Sequence, residues 1–445
     1  MEFISLIQGL WVILTLCLFF IKMRIGLCLY IAYIFLVPYM NINLGINLQW
    51  NLVNLILLLA FFVAFKRSGK RQRMSFKPFM PFLFLQLFQL LEMPFQNRVP
   101  MSYSLNTFRL DLMLNLIPPF VIWNYSAIDG KVGSLLRKTT VICICIAFGY
   151  GLFLTTTGGV NPYQIAISAA NGVEWNKEYA AIANGRLFGR ISSVFAHPMN
   201  YGLFLGLALV YIYSIRDYLK RYVTIILCVG IVIAIVLCGV RSPIGALFVT
   251  IMVYLFLSHK IKLMIQFGIL AGIGFAIINT IPELSNYIGS IFSDKKSLEG
   301  GSSLEMRMNQ LEGCFYEIRN NPFFGNGYGW VDFYKEKFGD HPVLLAFESL
   351  VYVVLCNSGY VGAVIWVLFL IKLFKNTNKL VADKNVVIYV LLLLTYYLSY
   401  TVITGEYGYM KFLILFYTLV LICNGYTPDK ILMRKNIKAD ESTLV

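Results

Sequence analysis

The sequence predicts an all-α polytopic membrane protein, an integral bundle of about 12–14 transmembrane helices. Of its 445 residues, 58% are hydrophobic and only 13% are charged, and the mean hydropathy is +0.71. An ordinary soluble domain has roughly 45–50% apolar and about 25% charged residues, so this composition excludes a water-soluble globule. The apolar residues also lie in long runs, and about 20 such residues cross a bilayer as a helix. We therefore treat residues 1–445 as a single transmembrane domain.

Thirteen apolar segments of the chain are candidate membrane spans. Prolines interrupt the second segment at Pro38 and the fifth at Pro118 and Pro119. A spanning helix tolerates proline where neighbouring groups satisfy the freed carbonyls, so both segments are retained. The predicted spans are 3–21, 25–43, 47–65, 78–94, 109–125, 139–156, 194–215, 222–240, 244–258, 261–281, 343–371, 386–404 and 412–427.

The basic residues predict which side of the membrane each connection faces. The densest run, from Lys66 to Arg73, is assigned to the cytoplasm because cytoplasmic loops carry an excess of Lys and Arg. Alternation of the spans then gives seven cytoplasmic segments, and these contain 24 of the 37 Lys and Arg residues. The amino terminus is outside, and the tail 428–445 is cytoplasmic. Orientation thus accounts for the net charge of +15, and no nucleic-acid partner is expected.

Two long external loops, 157–193 and 282–342, interrupt the otherwise short connections. Loops longer than roughly 12–15 residues in a compact protein are usually functional, although a solvated surface loop is the alternative. The second loop carries a predicted amphipathic helix at 303–319, introduced by a capping box at Ser302 and lying on the membrane surface. Its apolar positions recur at helical spacing: Leu304, Met308, Leu311, Phe315 and Ile318. A shorter helix is predicted in the first loop, from Trp175 to Ala183.

A glycine-rich segment and several aromatic residues follow the amphipathic helix. Asn321 to Gly329 contains three glycines within five residues, which lets the backbone approach either a ligand or another element closely. Trp330 and Tyr334 come next. Aromatic rings of this kind suit the apolar faces of sugars, and they are also enriched at membrane interfaces. The sequence does not decide whether the glycines approach a ligand or another element. It also does not decide whether the aromatic rings contact a sugar or the membrane interface.

Four arginines lie where spans meet external loops, namely Arg186, Arg190, Arg241 and Arg307. An arginine at such a place is either a snorkelling anchor or a ligand contact. Arg241 is the most informative, because its connector is tiny, apolar and on the side that the positive-inside rule disfavours. A guanidinium group binds phosphate in a bidentate manner and keeps its charge. Because Arg190, Arg241 and Arg307 come from separate segments on one face, we predict that they bind a pyrophosphate together.

Glu348 and His341 are the candidate acid–base residues on the same face. Glu348 is placed inside the start of the span 343–371, where an ionisable group is costly and marks a functional site by default. His341 precedes that span, and Glu406 lies in the last external connector as a further candidate contact. The chain contains no Asp-x-Asp motif and no phosphate-binding loop, and its three histidines are far apart in the sequence. The sequence therefore predicts no metal site and no ATP-driven transport.

Three stretches of the chain resemble the O-antigen polymerase and ligase superfamily of bacterial envelope proteins. Residues 189–202 are similar to the family's Arg, aromatic and Pro-x-Asn-x-Gly start of a span after the first large loop. Residues 306–329 are similar to its Arg-led helix followed by Pro-x-x-Gly-x-Gly. Residues 348–362 resemble its polar residue, hydrophobic stretch and Gly-x-x-Gly. Together with Arg241, the resemblance covers residues 186–362.

The resemblance implies a GT-C-type glycosyltransferase of the bacterial inner membrane, with an active site that faces the periplasm. Its closest likeness is to Wzy-type polymerases, which transfer a growing glycan from undecaprenyl pyrophosphate to the non-reducing end of a new lipid-linked repeat unit. The implied reaction is metal-independent and inverting, needs no cofactor, and involves undecaprenyl-pyrophosphate-linked glycans, membrane lipid and a chain-length regulator protein as partners. Glu348 or His341 would be the base, and Arg190, Arg241 and Arg307 would bind the pyrophosphate. The additional candidate contacts to glycan or lipid are Arg186, Asn200, Trp330, Tyr334 and Glu406.

Two other functions remain open. The first is an O-antigen ligase, which transfers a finished glycan to the lipid A-core. Ligases carry a His eleven residues before the first glycine of Gly-x-x-Gly, and Glu348 occupies that position here, which favours a polymerase. The second is a flippase for lipid-linked oligosaccharide. Transporters usually show repeated halves and broken or charged helices at the midplane, whereas no internal repeat is visible in this sequence.

Overall fold

The described part of the chain is almost entirely helical. A computed structural model describes residues 2–37, 40–43, 47–67, 74–96, 98–156, 161–171, 190–280, 304–345, 347–404 and 410–428. Within these residues, five helices are long and apolar enough to cross a membrane, and five shorter apolar helices accompany them. The predicted fold class, an all-α polytopic membrane protein, is confirmed.

The elements follow one another with short connections. The first helices are α1 (Glu2–Ile21), α2 (Met23–Leu36), α3 (Trp50–Arg67), α4 (Met80–Glu92), α5 (Met101–Asp111), α6 (Ile117–Ile128), α7 (Val132–Thr156) and α8 (Pro162–Asn171). The later helices are α9 (Pro198–Ser214), α10 (Arg221–Leu237), α11 (Arg241–Leu257), α12 (Ile261–Thr280), α13 (Leu304–Glu317), α14 (Trp330–Phe338), α15 (Leu350–Leu380), α16 (Lys384–Thr404) and α17 (Met410–Cys423). Single 3₁₀ turns occupy Lys77–Phe79, Met93–Phe95 and Arg216–Tyr218. Strands β1 (Ile42–Asn43) and β2 (Asn47–Leu48) pair in antiparallel fashion.

Each of the thirteen predicted spans overlaps a helix of the described residues. The fifth predicted span differs most in shape, because a π-helical turn at Leu112–Leu116 separates α5 from α6. Pro118 and Pro119 explain the change, since they lie in the first turn of α6, where a missing N–H donor breaks no hydrogen bond of that helix. The second predicted span ends as α2 at Leu36, and Pro38 lies outside the described residues.

Helix α17 is the centre of the bundle. All of its residues from Met410 to Cys423 are buried, as expected for a helix that is apolar on every side. Helices α9 and α16 pack beside α17 and lie close to each other. A Cβ atom added to Gly206 on α9 would lie 1.8 Å from Cζ of Tyr396 on α16. The hydroxyl of Tyr396 donates a hydrogen bond to the carbonyl of Gly202 at 2.9 Å, which fixes the register of the two helices.

Helix α15 is broken within its first third, at Gly359. This residue has φ 61° and ψ −156°, a conformation outside the helical region that favours glycine. The break interrupts the usual pattern of helical hydrogen bonds, so the freed backbone groups need other partners. Two of these groups bond to the glycine-rich segment. The N–H of Tyr360 donates to the carbonyl of Pro322 at 2.9 Å, and the N–H of Val361 donates to the carbonyl of Phe323 at 3.0 Å.

The glycine-rich segment supplies the partners on the other side of this break. The N–H groups of Asn326 and Gly327 donate to the carbonyls of Cys356 and Asn357, at 2.8 and 3.0 Å. A Cβ atom on Gly325 would lie 2.7 Å from the backbone nitrogen of Gly359, so only glycine fits. The close approach that the glycines permit is therefore an approach to another element of the fold.

Candidate active site

One cavity brings together residues from five separate parts of the chain. We call it the arginine cavity, because Arg190, Arg241 and Arg307 line it together with Glu348. Its volume is about 620 Å³. The wall comes from the segment before α9, the start of α11, helix α13, the turn before α15 and the end of α16. The three arginines that were predicted to act together thus face one space.

A backbone contact holds the segment of Arg190 beside that of Arg241. The N–H of Ile191, next to Arg190, donates to the carbonyl of Cys238 at 3.3 Å, just before α11 begins at Arg241. A hydrogen bond to α7 anchors the residues that follow Arg190. The Ser193 hydroxyl donates to the carbonyl of Ala147 on α7 at 2.5 Å. This arrangement places Arg190 at the start of α11, where backbone N–H groups and the helix dipole also favour an anion.

Arg307 ties helix α13 to the opposite wall of the arginine cavity. Its Nη1 donates to the carbonyl of Glu348 at 3.3 Å and also to the carbonyl of Ile403 at the end of α16. Its Nη2 lies 3.9 Å from Oε2 of Glu348, and the two side chains are only 22% and 26% exposed. The hydroxyl of Tyr352 donates to the carbonyl of Arg307 at 2.8 Å. The guanidinium is therefore fixed in position next to the carboxylate.

Glu348 lies in a non-helical turn, whereas the sequence placed it within the start of a span. Helix α15 begins only at Leu350, after the N-cap Ser349, whose Oγ accepts a hydrogen bond from Val351 N at 3.2 Å. Leu345 and Phe347, which precede Glu348 in this turn, have φ values of 48° and 54°. Such values are uncommon for residues other than glycine, and strained backbone clusters at functional sites. Among the described residues that line the arginine cavity, Glu348 is the only carboxylate.

His341 lies apart from this cavity and stabilises the turn that leads to Glu348. Its Nδ1 accepts hydrogen bonds from the backbone N–H groups of Val343 and Leu344, at 3.2 and 3.0 Å. Its Nε2 lies 3.5 Å from Oε1 of Glu317, at the end of α13. The ring is almost completely buried against Tyr334. The structure thus brings Glu348, but not His341, to the three arginines.

The remaining candidate contacts that the structure describes, Asn200, Trp330 and Tyr334, do not line the arginine cavity. Trp330 and Tyr334 pack in an apolar cluster, with ring centroids 5.2 Å apart. Asn200 is buried in the first turn of α9. Arg186 and Glu406 lie outside the described residues, as do the predicted helix from Trp175 to Ala183, the Ser302 capping box and the tail beyond residue 428. Within the described residues, no group of three or more His, Cys, Asp or Glu side chains could hold a metal ion.

Helix α13 presents part of its apolar face to the arginine cavity. The helix covers Leu304–Glu317, within the predicted 303–319. Leu304, Met308 and Leu311 line the cavity, and the position of this helix on the membrane surface stays a prediction. Helical spacing reveals that an apolar face exists but does not reveal what the face covers. The cavity therefore combines a cationic part with an apolar wall.

One comparison with known proteins finds a match within this chain. A family model described as O-antigen ligase matches residues 226–367. The match begins within α10 and ends within α15, and it includes Arg241, Arg307 and Glu348. Comparisons with curated proteins and with solved structures give no match. The family match contains the second and third of the sequence motifs, at 306–329 and 348–362, and it supports the resemblance of this protein to the O-antigen polymerase and ligase superfamily.

Proposed function

We propose that this protein polymerises undecaprenyl-pyrophosphate-linked oligosaccharide repeat units on the periplasmic side of the bacterial inner membrane. The family match supports glycan transfer of the O-antigen ligase and polymerase kind in general. The observation that carries the finer proposal is the arginine cavity, in which three cationic side chains and one carboxylate meet an apolar wall. A lipid pyrophosphate has the matching chemistry, with a doubly charged head and a hydrocarbon chain.

The donor binds with its pyrophosphate between Arg190, Arg241 and Arg307. Arg241 is the first residue of α11, so backbone N–H groups at that helix terminus add to its attraction for an anion. The polyprenyl chain lies along the apolar residues of α13, which face the same space. Guanidinium groups suit this role because they remain charged and match phosphate oxygens in pairs.

Glu348 acts as the general base in this proposal. Its carboxylate takes the proton from the acceptor hydroxyl, whose oxygen then attacks the anomeric carbon of the donor glycan. The bond between that carbon and the pyrophosphate oxygen breaks, and the electron pair leaves with undecaprenyl pyrophosphate. The arginines stabilise the charge that develops on the departing group. Direct displacement inverts the configuration of the anomeric carbon.

The second candidate function is an O-antigen ligase, which the description of the matching family favours. A ligase would use the same donor, and only the acceptor would differ, because the glycan would pass to the lipid A-core. The residue at position 348 argues for the polymerase, because this chain has Glu where the ligases that it resembles have His.

A deletion strain distinguishes the two functions by its surface glycan. A polymerase defect leaves lipid A-core that carries single repeat units, whereas a ligase defect leaves lipid A-core without any repeat. We expect single repeats, and restoration of long chains by the plasmid-borne wild-type gene. Lipid A-core without repeats would contradict the polymerase proposal in favour of the ligase. Elongation of purified lipid-linked repeats by the purified protein would exclude a flippase.

Complementation with point variants tests the pyrophosphate site. Arg241→Ala is expected to shorten the glycan chains strongly, because it removes one of the three cationic contacts to the donor. Arg319→Ala is the matched control, since Arg319 is exposed on the same side of the fold and stacks on Tyr316 outside the cavity. Equal chain lengths in the two variants, at equal protein levels in the membrane, would rule out the assignment of Arg241.

A further inference from the structure

We infer that a second cavity, on the other side of the turn at Glu348, binds the acceptor saccharide. This inference rests on the proposed function, because it names the place of the second substrate of the same reaction. It is carried by three observations, namely the chemistry of the cavity lining, the buried acceptor atoms in it and its position relative to Glu348.

The second cavity is lined by side chains that suit a neutral, hydroxyl-rich ligand. Its volume is about 370 Å³, within the range of roughly 300–1,000 Å³ that is common for small-molecule sites. We call it the amide cavity, because four carboxamide side chains line it, namely Gln86, Gln89, Asn115 and Asn357. Asp111, Asp332 and Lys335 add further hydrogen-bonding groups, and Trp366 adds an aromatic ring. Carboxamides both donate and accept hydrogen bonds, as sugar hydroxyls do.

Two acceptor atoms in the lining are buried without a hydrogen-bond donor among the described residues. They are Oε1 of Gln86 and Oε1 of Gln89, both on α4. The Gln86 side chain is only 8% exposed, and it lines the amide cavity. Buried polar atoms in proteins are almost always hydrogen-bonded, and each exception calls for an explanation. Rotation of either carboxamide toward the cavity would let its oxygen accept a hydrogen bond from a hydroxyl group of a ligand.

The two cavities are separated by the turn that carries the proposed base. Phe347 and Leu350 line the amide cavity, whereas Glu348 and Ser349, which lie between them in the sequence, line the arginine cavity. A donor in one cavity and an acceptor in the other would therefore meet at this turn. The nucleophilic hydroxyl of the acceptor would then approach Glu348 from the side opposite to the pyrophosphate.

Lys335 connects the amide cavity to Glu348 electrostatically. It projects from α14 into the lining of the amide cavity. Burial lowers the pKa of its ammonium group, and the carboxylates of Asp332, Asp340 and Glu348 oppose this shift. The amide cavity thus contains two carboxylates and one ammonium group, in contrast to the cationic arginine cavity. This difference in charge favours a neutral saccharide in the amide cavity and a pyrophosphate in the arginine cavity.

Saccharide binding to the full-length protein in lipid nanodiscs tests the inference. The probe is the free repeat-unit oligosaccharide, released by mild acid from the lipid-linked repeats of a strain that lacks this protein. Its dissociation constant is measured by saturation-transfer NMR. The test variants are Gln86→Met combined with Gln89→Met, and separately Asp332→Asn at the edge of the cavity on α14. Gln266→Met is the matched control, because Gln266 is exposed on α12.

We expect the double variant to raise the dissociation constant about tenfold or more, because at least two hydrogen bonds to the saccharide are lost. Asp332→Asn should raise it by a smaller factor, and it keeps the inference testable if the double variant does not fold. Gln266→Met should leave saccharide binding unchanged. Unchanged binding in both test variants, or no binding to the wild-type protein, would overturn the inference. So would Mg²⁺ or Na⁺ binding that the double variant loses while saccharide binding persists.

The inference and the proposed function can fail separately. The glycan profile of the deletion strain decides which transfer reaction occurs, whatever the amide cavity binds. Saccharide binding to the double variant decides what occupies the amide cavity, whatever reaction follows. If the repeat-unit oligosaccharide binds there but the deletion strain shows a ligase defect, the proposed polymerase fails while saccharide binding in the amide cavity stands.

Discussion

Glu348 shows how an ionisable side chain can be placed between two different environments. On one side, Arg307 donates to its backbone carbonyl and lies 3.9 Å from its carboxylate. On the other side, Lys335 lies close enough to interact with it electrostatically. The sequence could identify Glu348 as a candidate, because a carboxylate in an apolar stretch is conspicuous. It could not identify Lys335, which looks like an ordinary loop lysine until the chain folds.

Replacement of Glu348 by Gln tests its role as the base. The substitution keeps the size of the side chain but removes the proton acceptor, so the rate of glycan transfer should fall about 10²–10⁴-fold. The rate is measured as elongation of purified lipid-linked repeats. Glu305→Gln, on the exposed part of α13, is the control and should retain the wild-type rate. A Glu348→Gln rate within a few-fold of the wild type would exclude general-base catalysis by this residue.

His341 is expected to affect stability more than catalysis. His341→Ala removes the acceptor of two backbone N–H groups, one of them on the buried residue Leu344, and this should cost about 1–3 kcal/mol. The measurement is the unfolding temperature in detergent, together with the transfer rate per folded molecule. His341→Asn should restore part of the stability, because its side-chain oxygen can accept the same hydrogen bonds. A large loss of rate at unchanged stability would instead assign the base to His341.

The break in α15 shows what local sequence patterns leave out. A run of apolar residues from Leu350 onward predicts one continuous helix, and Gly359 alone does not predict a break. The break exists because the glycine-rich segment inserts its backbone against α15 and offers hydrogen bonds to the freed groups. A buried side-chain contact reinforces the site, since Ser358 Oγ donates to Oε1 of Glu92 at 2.6 Å. These partners are distant in the sequence, so no local pattern reveals them.

Gly325→Ala should therefore destabilise the protein at this junction. The new Cβ atom would lie 2.7 Å from the backbone of α15, and φ at this position is +68°. Positive φ and overpacking together should cost roughly 2 kcal/mol or more. The free energy is measured by denaturant unfolding in detergent. Gly268→Ala on α12 is the control, because its Cβ atom would meet no atom of the described residues within 4 Å apart from the adjacent backbone of its own helix. Equal stability of the two variants would contradict the close contact.

The orientation of the whole molecule is a prediction that charge distribution alone supports. Most basic residues lie in segments that alternation of the spans assigns to the cytoplasm. The arginine cavity then opens toward the external side, where the lipid-linked substrate would be presented. This orientation is essential to the proposed function, since a polymerase of this kind works outside the cytoplasm.

Reporter fusions test the orientation directly. Alkaline phosphatase, which is active only outside the cytoplasm, should be active when fused after Gly300 and inactive when fused after Leu219. The reverse pattern is expected for a fluorescent protein that folds only in the cytoplasm. Activity of the phosphatase at Leu219 would invert the predicted topology and place the arginine cavity on the wrong side for the proposed reaction.

Composition and periodicity were sufficient to predict an all-α polytopic membrane protein and the stretch of chain that the family model matches. These features depend on the length and hydropathy of local segments, because the thickness of the bilayer sets how many apolar residues a spanning helix needs. The sequence also identified Arg190, Arg241, Arg307 and Glu348, because charges are rare and conspicuous in an apolar chain. Their meeting in one cavity, the separate position of His341 and the amide cavity depend on contacts between distant segments. Such contacts are decided by packing and by the satisfaction of buried polar groups, and both require the folded bundle.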